Sequence, residues 1–196
     1  NKIREISEYF DISEVAAKVL LNRQLSDIEE VTSFLNPKFE YFEDSINYKD
    51  MFKGTERLKN AIKDKENIIV YGDYDVDGVT SISQFVLFLR EVNANVDYYI
   101  PNRETEGYGI SDKFIEKLKN DNFQLLITVD CGISNYEAIN KINSYGMDVI
   151  VIDHHKCPEQ IPEALAVINP KQKECKSKNK NLCASGLTFK FLRELC

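Results

Sequence analysis

Long apolar runs are missing from this chain of 196 residues; none approaches the roughly 18 residues that would span a bilayer. The first ten residues, NKIREISEYF, also lack the apolar stretch and cleavage site of a secretory leader. Glycine and proline are sparse, at 8 and 5, which excludes collagen-like and low-complexity chains. The five cysteines are odd in number and include no C-x-x-C pair. They point to reduced thiols in a cytosolic protein rather than to a disulfide framework. Positive charge is in deficit, with 25 Lys and Arg against 32 Asp and Glu for a net charge of −7. The surface as a whole therefore does not advertise a phosphate backbone as partner, and a nucleic-acid function has to come from a local site. Histidine is scarcest of the chemically useful residues, with two in the whole chain.

What is present falls into two textures. Residues 1–66 are charged and helical in pattern. Ser26 and Glu29 have capping-box spacing before DIEEVTSFL, Asn36-Pro37 stops that helix, and Leu58, Ala61 and Ile62 keep helical spacing within KDMFKGTERLKNAIKDK. This part has the character of an adaptor. From residue 67, short β-branched runs alternate with amphipathic stretches. Strands are expected at 67–72, 95–100, 125–130, 147–153 and 164–169. Helices are expected to start near Val79, at Ser111, at a cap formed by Ser134 and Glu137, and at Ala184. Strands separated by helices of this length imply an α/β fold, a mostly parallel β-sheet flanked by helices on both faces, whose site lies at the carboxyl ends of the strands.

Three of those strands end in acid. IIVYG leads into Asp73, Asp75 and Asp77, LLITV into Asp130, and VIVI into Asp153, His154 and His155. If these strands are parallel neighbours, five aspartates and both histidines share one cleft. Crowded carboxylates raise one another's pKa and stay ionised only if cations compensate. Oxygen-rich ligation with one or two imidazoles suits Mn²⁺ or Mg²⁺. A pair of such ions is the arrangement that activates a water and stabilises both oxygens of a phosphoester displacement. Taken singly, an Asp after a strand is an ordinary helix N-cap, and Asp-His-His is an ordinary turn. DYDVDG also opens like an EF-hand loop, but position twelve counted from Asp73 is Gln84 rather than Glu, and a strand rather than a helix precedes it.

The segments VYGDYDVDGVTS, TVDCGIS and VIDHHK, in that order after a helical preface, resemble the DHH phosphoesterase superfamily. YYIPNRETEGYGIS, ALAVINPK and CASGLTFKFL make the chain similar to the superfamily's single-strand-specific 5′→3′ DNA exonucleases over its full length. The resemblance implies a DHH-type catalytic domain over 67–196, Asp75 and Asp77 on one metal, Asp130 bridging two, and His154 on the second. Asp73 and Asp153 would be partial ligands or groups that orient ligands. His155 would face the scissile phosphate as hydrogen-bond donor or acid, so that Asp130, His154 and His155 carry the chemistry. Gly72 and Gly78 would keep side chains from crowding the metals. Single-stranded DNA is the implied substrate, in repair and recombination, with a single-strand-binding protein or helicase as further partner. A further Asp ligand, a C-terminal DHHA1 domain and nucleic-acid-binding modules of the family lie beyond Cys196, so the chain has the character of an N-terminal piece. Two alternatives stay open: a phosphodiesterase acting on oligoribonucleotides, nucleotides or cyclic dinucleotides, and a catalytically silent scaffold.

Other residues are candidates for substrate contacts. Arg103 would pair with a backbone phosphate and Tyr108 would stack on a base, against the plainer alternative that Arg103 pairs with Glu104 or Glu106. Lys156 follows the histidines directly. The basic run KQKECKSKNK at 171–180 would steer a strand electrostatically or be a solvated loop. Cys157, Cys175 and Cys183 fit no common zinc spacing.

Overall fold

The computed structural model describes residues 1–196, which divide into two compact units, Asn1–Phe42 and Glu43–Cys196. The first holds three helices, α1 (Lys2–Phe10), α2 (Glu14–Asn22) and α3 (Ile28–Leu35), around buried Ile6, Ala17, Leu20 and Val31. The capping box at α3 sits one residue later than the spacing of Ser26 and Glu29 implies. Asp27 takes the extended N-cap conformation, and the Glu30 carboxylate reaches back to accept from the N–H groups of Ser26 and Asp27. Helix α3 stops at Leu35 with Asn36 as C-cap, as the Asn-Pro pair demands.

The second unit is a five-stranded sheet in the order β2-β1-β3-β4-β5, with every pair parallel. Its strands are β1 (Asn67–Gly72), β2 (Asn95–Tyr99), β3 (Leu125–Val129), β4 (Asp148–Ile152) and β5 (Ala166–Ile168). Successive side chains of a strand point to opposite faces, and here both faces are covered. Ile68, Val70, Leu125, Ile127, Ile150 and Ile168 pack with α4 (Met51–Lys63), α5 (Val76–Glu91) and α8 (Ala184–Arg193). Ile69, Tyr71, Leu126, Val149, Val151 and Val167 pack with α6 (Asp112–Asn120) and α7 (Tyr136–Asn143). That double burial is why the strands are continuous apolar runs rather than alternating ones.

Helix α4 belongs to this second unit, which begins at Glu43. Its buried face, Met51, Leu58 and Ala61, completes the core beneath Ile168 and Phe191, so the helix shares apolar burial with the sheet rather than with α1–α3. Arg57 fastens its other side, with guanidinium nitrogens donating to Asp148 and Glu66 at 2.6 Å each. Because Arg57 is largely buried, Arg57→Ala leaves two carboxylates without their cation. It is expected to cost about 2–3 kcal/mol, read as a lower urea midpoint with an unchanged m-value.

Two helix starts differ from those read off the sequence. Helix α5 begins at Val76, not Val79, because Asp75 is its N-cap. Helix α7 begins at Tyr136 behind Asn135, and Ser134 makes no cap there. The strand order reverses between β1 and β3, with the chain turning outward to β2 in one direction and to β4 and β5 in the other. At such a switch point the loops leaving adjacent strands diverge and open a crevice at the strands' carboxyl ends. Asp73 and Asp130 leave the sheet at that crevice.

Candidate metal centre

The residues that follow β1, β3 and β4 converge there. Carboxylate oxygens of Asp73, Asp75 and Asp130 all lie within 4.8 Å of one another, and so do ligand atoms of Asp130, His154 and His155. Asp130 belongs to both groups. The sheet register accounts for this, because Gly72 is level with Val129 and Val129 with Ile152, so the next residues of three neighbouring strands emerge side by side. Asp130 adopts a left-handed backbone, φ 59°, which costs a non-glycine residue roughly 1–2 kcal/mol. Such strain persists where surrounding structure enforces it, commonly at functional sites. Its own N–H donates to the Ile152 carbonyl at 3.0 Å, anchoring the turn to β4.

Electrostatically, Asp130 is the anomaly. It is 1% exposed, and its Oδ1 makes no hydrogen bond although His154 Nε2 stands 3.2 Å away. Burial and then the charges of Asp77 and Asp75 push its carboxyl up to about 8. Burial also raises Asp73, with Asp75 adding to the effect. Asp75 moves the other way, held low first by the Gly78 N–H that its Oδ1 accepts at 3.1 Å. The Asp77 N–H donates to the same oxygen at 2.9 Å. Asp75 is therefore both a helix cap and a member of the acidic cluster.

An orphaned buried carboxylate oxygen among like charges, with an imidazole beside it, fits a divalent cation bound by oxygen and nitrogen. The donor set is Asp73, Asp75, Asp130 and His154, with His155 in reach. Burial and the charge of His155 lower the pKa of His154, favouring the neutral imidazole that a metal requires.

The other acids hold the frame. Asp77 accepts from the N–H groups of Ala184 and Ser185 at 2.9 and 2.7 Å, satisfying the first turn of α8, while its Oδ2 is 3.5 Å from His154 Nε2. Asp153 is fully buried. Its Oδ1 accepts from the backbone N–H and Nδ1 of His155, and its Oδ2 from the Ile133 N–H at 3.0 Å. Burial pushes the Asp153 carboxyl up, but these hydrogen bonds outweigh it and hold the group below the usual range. The same contact raises His155. Tyr108 OH lies 3.3 Å from His155 Nδ1, but the 2.7 Å contact to a carboxylate takes the Nδ1 proton, which leaves Nε2 as the free ring nitrogen. Asp153→Asn is expected to make His155 titrate at lower pH in an NMR titration with chelator present. An unshifted midpoint would mean that some other group sets it.

Gly78 and Gly72 are required by packing rather than by room for metal. A Cβ on Gly78 would stand 2.3 Å from the Asp73 carbonyl oxygen, and one on Gly72 would meet Val129 and Ile82 at 2.7 and 2.8 Å. The acidic turn follows a strand, so no helix-loop-helix exists around Asp73, and the Gln84 amide instead ties α5 to Ser185. Arg103 pairs with neither Glu104 nor Glu106; it lies over the Tyr74 ring at 5.5 Å, while Glu106 accepts from Tyr99, Ser111 and Asn102. Tyr108 is 55% exposed beside His155, and Lys156 is exposed. All five thiols are free, and none joins a metal-ligating group.

Two residues of this region escape sequence reading. Asn169, fully buried after β5, donates its amide to the His155 carbonyl at 3.0 Å. Tyr74 forms the platform under Arg103. A polar residue at the end of a fourth strand was the available signal for Asn169; for Tyr74 there was none.

Residues 67–195 match the DHH family, N-terminal domain, and the chain belongs to that family. It is similar to the single-stranded-DNA-specific exonuclease RecJ of Bacillus subtilis (strain 168), 36% identical over 195 residues that cover 100% of this chain and 25% of that protein. The protein of the same name from Escherichia coli (strain K12) is 40% identical over 138 residues, covering 70% of this chain and 24% of its own. Among solved structures, exonuclease RecJ bound to manganese matches with a TM-score of 0.70 and 32% identity, over 76% of this chain and 37% of that one. The chain thus spans about a quarter of the length of the curated relatives it matches.

Proposed function

We propose that the chain is the catalytic N-terminal part of a metal-dependent exonuclease that hydrolyses single-stranded DNA from its 5′ end, with residues 67–196 as its DHH-type domain. The observation that carries this is Asp130, a buried carboxyl with an orphaned oxygen shared by two ligand groups from three strand ends. Two Mn²⁺ or Mg²⁺ ions would be held by Asp73, Asp75, Asp130 and His154, with Asp77, whose Oδ2 is 3.5 Å from His154 Nε2, at the edge of the site. Bound there, they supply a water of lowered pKa and positive charge toward the phosphodiester oxygens.

The chain's own residues then have separable tasks. Asp153 fixes the ring of His155 and favours its protonated form, so His155 can hold a proton at Nε2 for a phosphate oxygen or the leaving oxygen. Arg103, braced on Tyr74, offers a planar fork to a phosphate. Tyr108 offers a ring to a base, and Lys156 adds charge beside the histidines. The similarity to proteins named single-stranded-DNA-specific exonuclease supports single-stranded DNA as substrate; work in repair and recombination and a cytoplasmic location belong to the same proposal. No helix is long and apolar enough to cross a membrane. A single-strand-binding protein or helicase is the natural supplier of single strands.

The test uses the full-length protein with Mn²⁺ on end-labelled single strands, matched duplexes and a dinucleotide. Single strands are expected to shorten from the 5′ end while duplexes survive. Preference for the dinucleotide would overturn the proposal in favour of a small-substrate phosphodiesterase, and strand binding without turnover would overturn it in favour of a scaffold.

A further inference from the structure

A cavity of about 420 Å³ adjoins the turn that follows His155, lined among others by Lys49, Lys156, Lys171, Lys173, Glu159 and Glu174. Lys49 is paired with Glu174. Lys156, Lys171 and Lys173 form no salt bridge, so the lining carries positive charge in a chain whose net charge is −7.

The lysines are presented by a fixed frame rather than a loose loop. Asn169 is the joint: its Oδ1 accepts the Lys171 N–H at 2.8 Å while its amide donates to the His155 carbonyl at 3.0 Å. One buried side chain therefore sets the spacing between Lys171 and the histidine turn. Behind it, the Gln172 amide donates to the Val167 carbonyl at 2.6 Å, and Lys180 Nζ to the carbonyls of Pro170 and Cys175 at 2.8 and 2.9 Å. Lys156 and Cys157, the residues directly after the two histidines, line the cavity together with Lys171, so cavity and metal centre share one turn of the chain. An anion in this cavity would lie on the far side of the His155–Lys156 turn from a phosphate at the metal centre.

We infer that this cavity is a subsite for a backbone phosphate of the oligonucleotide other than the one cleaved, held by Lys156, Lys171 and Lys173. The inference rests on the exonuclease reading and deepens it, because the subsite favours substrates long enough to fill both places. A dinucleotide at the metal centre has no second phosphodiester to offer.

The test compares full-length wild type with a Lys171→Gln/Lys173→Gln double variant and with Lys171→Arg/Lys173→Arg, each checked for unchanged thermal midpoint. For the Gln pair, the ratio of kcat/KM on a long single strand to that on a dinucleotide is expected to fall about tenfold. The dependence of long-strand kcat/KM on log salt should become shallower by about 0.7, one phosphate contact on a single strand. The Arg pair should restore both. An unchanged ratio, or the same loss on both substrates, would overturn the subsite. Fluorescence anisotropy of a labelled strand with Ca²⁺ separates the two ideas. A wild type that binds but never cleaves overturns the exonuclease reading, while weaker binding by the Gln pair still supports the subsite and equal binding removes it.

Discussion

Replacing Asp130 with Asn is expected to lower turnover of the full-length protein by about 10³-fold, to abolish tight Mn²⁺ binding, and yet to make the metal-free chain more stable. The two signs come from one cause. Asp130 is buried among carboxylates that push it up to about 8, whereas the same group in an unfolded chain titrates near 3.9. Between those values the native state holds a proton that the unfolded state has released. Stability of the metal-free wild type therefore falls as pH rises from about 4 to about 8, at up to about 1.4 kcal/mol per unit from this group alone, and falls no further above. Asn carries no such penalty. At pH 8 the variant is expected to be about 2–4 kcal/mol more stable than wild type in urea unfolding with chelator present, and the difference should shrink toward pH 5. Added Mn²⁺ should reverse the order by stabilising wild type alone. A variant less stable than wild type at pH 8 would mean that Asp130 is a structural acid with adequate partners.

Gly78→Ala is expected to cost about 2–3 kcal/mol and to weaken Mn²⁺ binding by about 10–100-fold, although it replaces no ligand. In an ordinary helix interior the same change gains up to about 1 kcal/mol. Here the new Cβ would stand 2.3 Å from the Asp73 carbonyl oxygen and 2.7 Å from its backbone carbon and nitrogen. Backbone cannot rotate aside like a side-chain tip, so either α5 shifts outward or the acidic turn moves. Each displaces Asp75, whose oxygen is tied to the Gly78 N–H. Calorimetric titration together with urea unfolding checks both halves. A variant with wild-type affinity and stability would show that the turn tolerates the displacement.

Much of this centre was legible in the sequence because its determinants are local. Doubly buried parallel strands must be apolar throughout, so β1, β3 and β4 stand out as runs, and the acids and histidines directly after them have to leave the sheet at one end. The misplaced features are those decided by contacts distant in sequence. Helix α4 buries Leu58 and Ala61 under Ile168 and Phe191 and so joins the second unit, which no spacing within α4 reveals. Helix α5 started early because Asp75, singled out as a ligand, is simultaneously a cap. Arg103 has two acids nearby in sequence and still rests on Tyr74. The basic run at 171–180 is pinned by Lys180 and Gln172 to backbone carbonyls, and its link to the histidines runs through Asn169, whose only signal is its place at the end of β5.

The most direct measurement is an anomalous difference map from Mn²⁺-soaked crystals of this chain, collected at the manganese edge. Peaks are expected among the carboxylates of Asp73, Asp75 and Asp130 and the imidazole of His154, and they should vanish in Asp130→Asn crystals. Density for manganese elsewhere on the molecule, with these four side chains left unliganded, would contradict a shared metal centre at the strand ends.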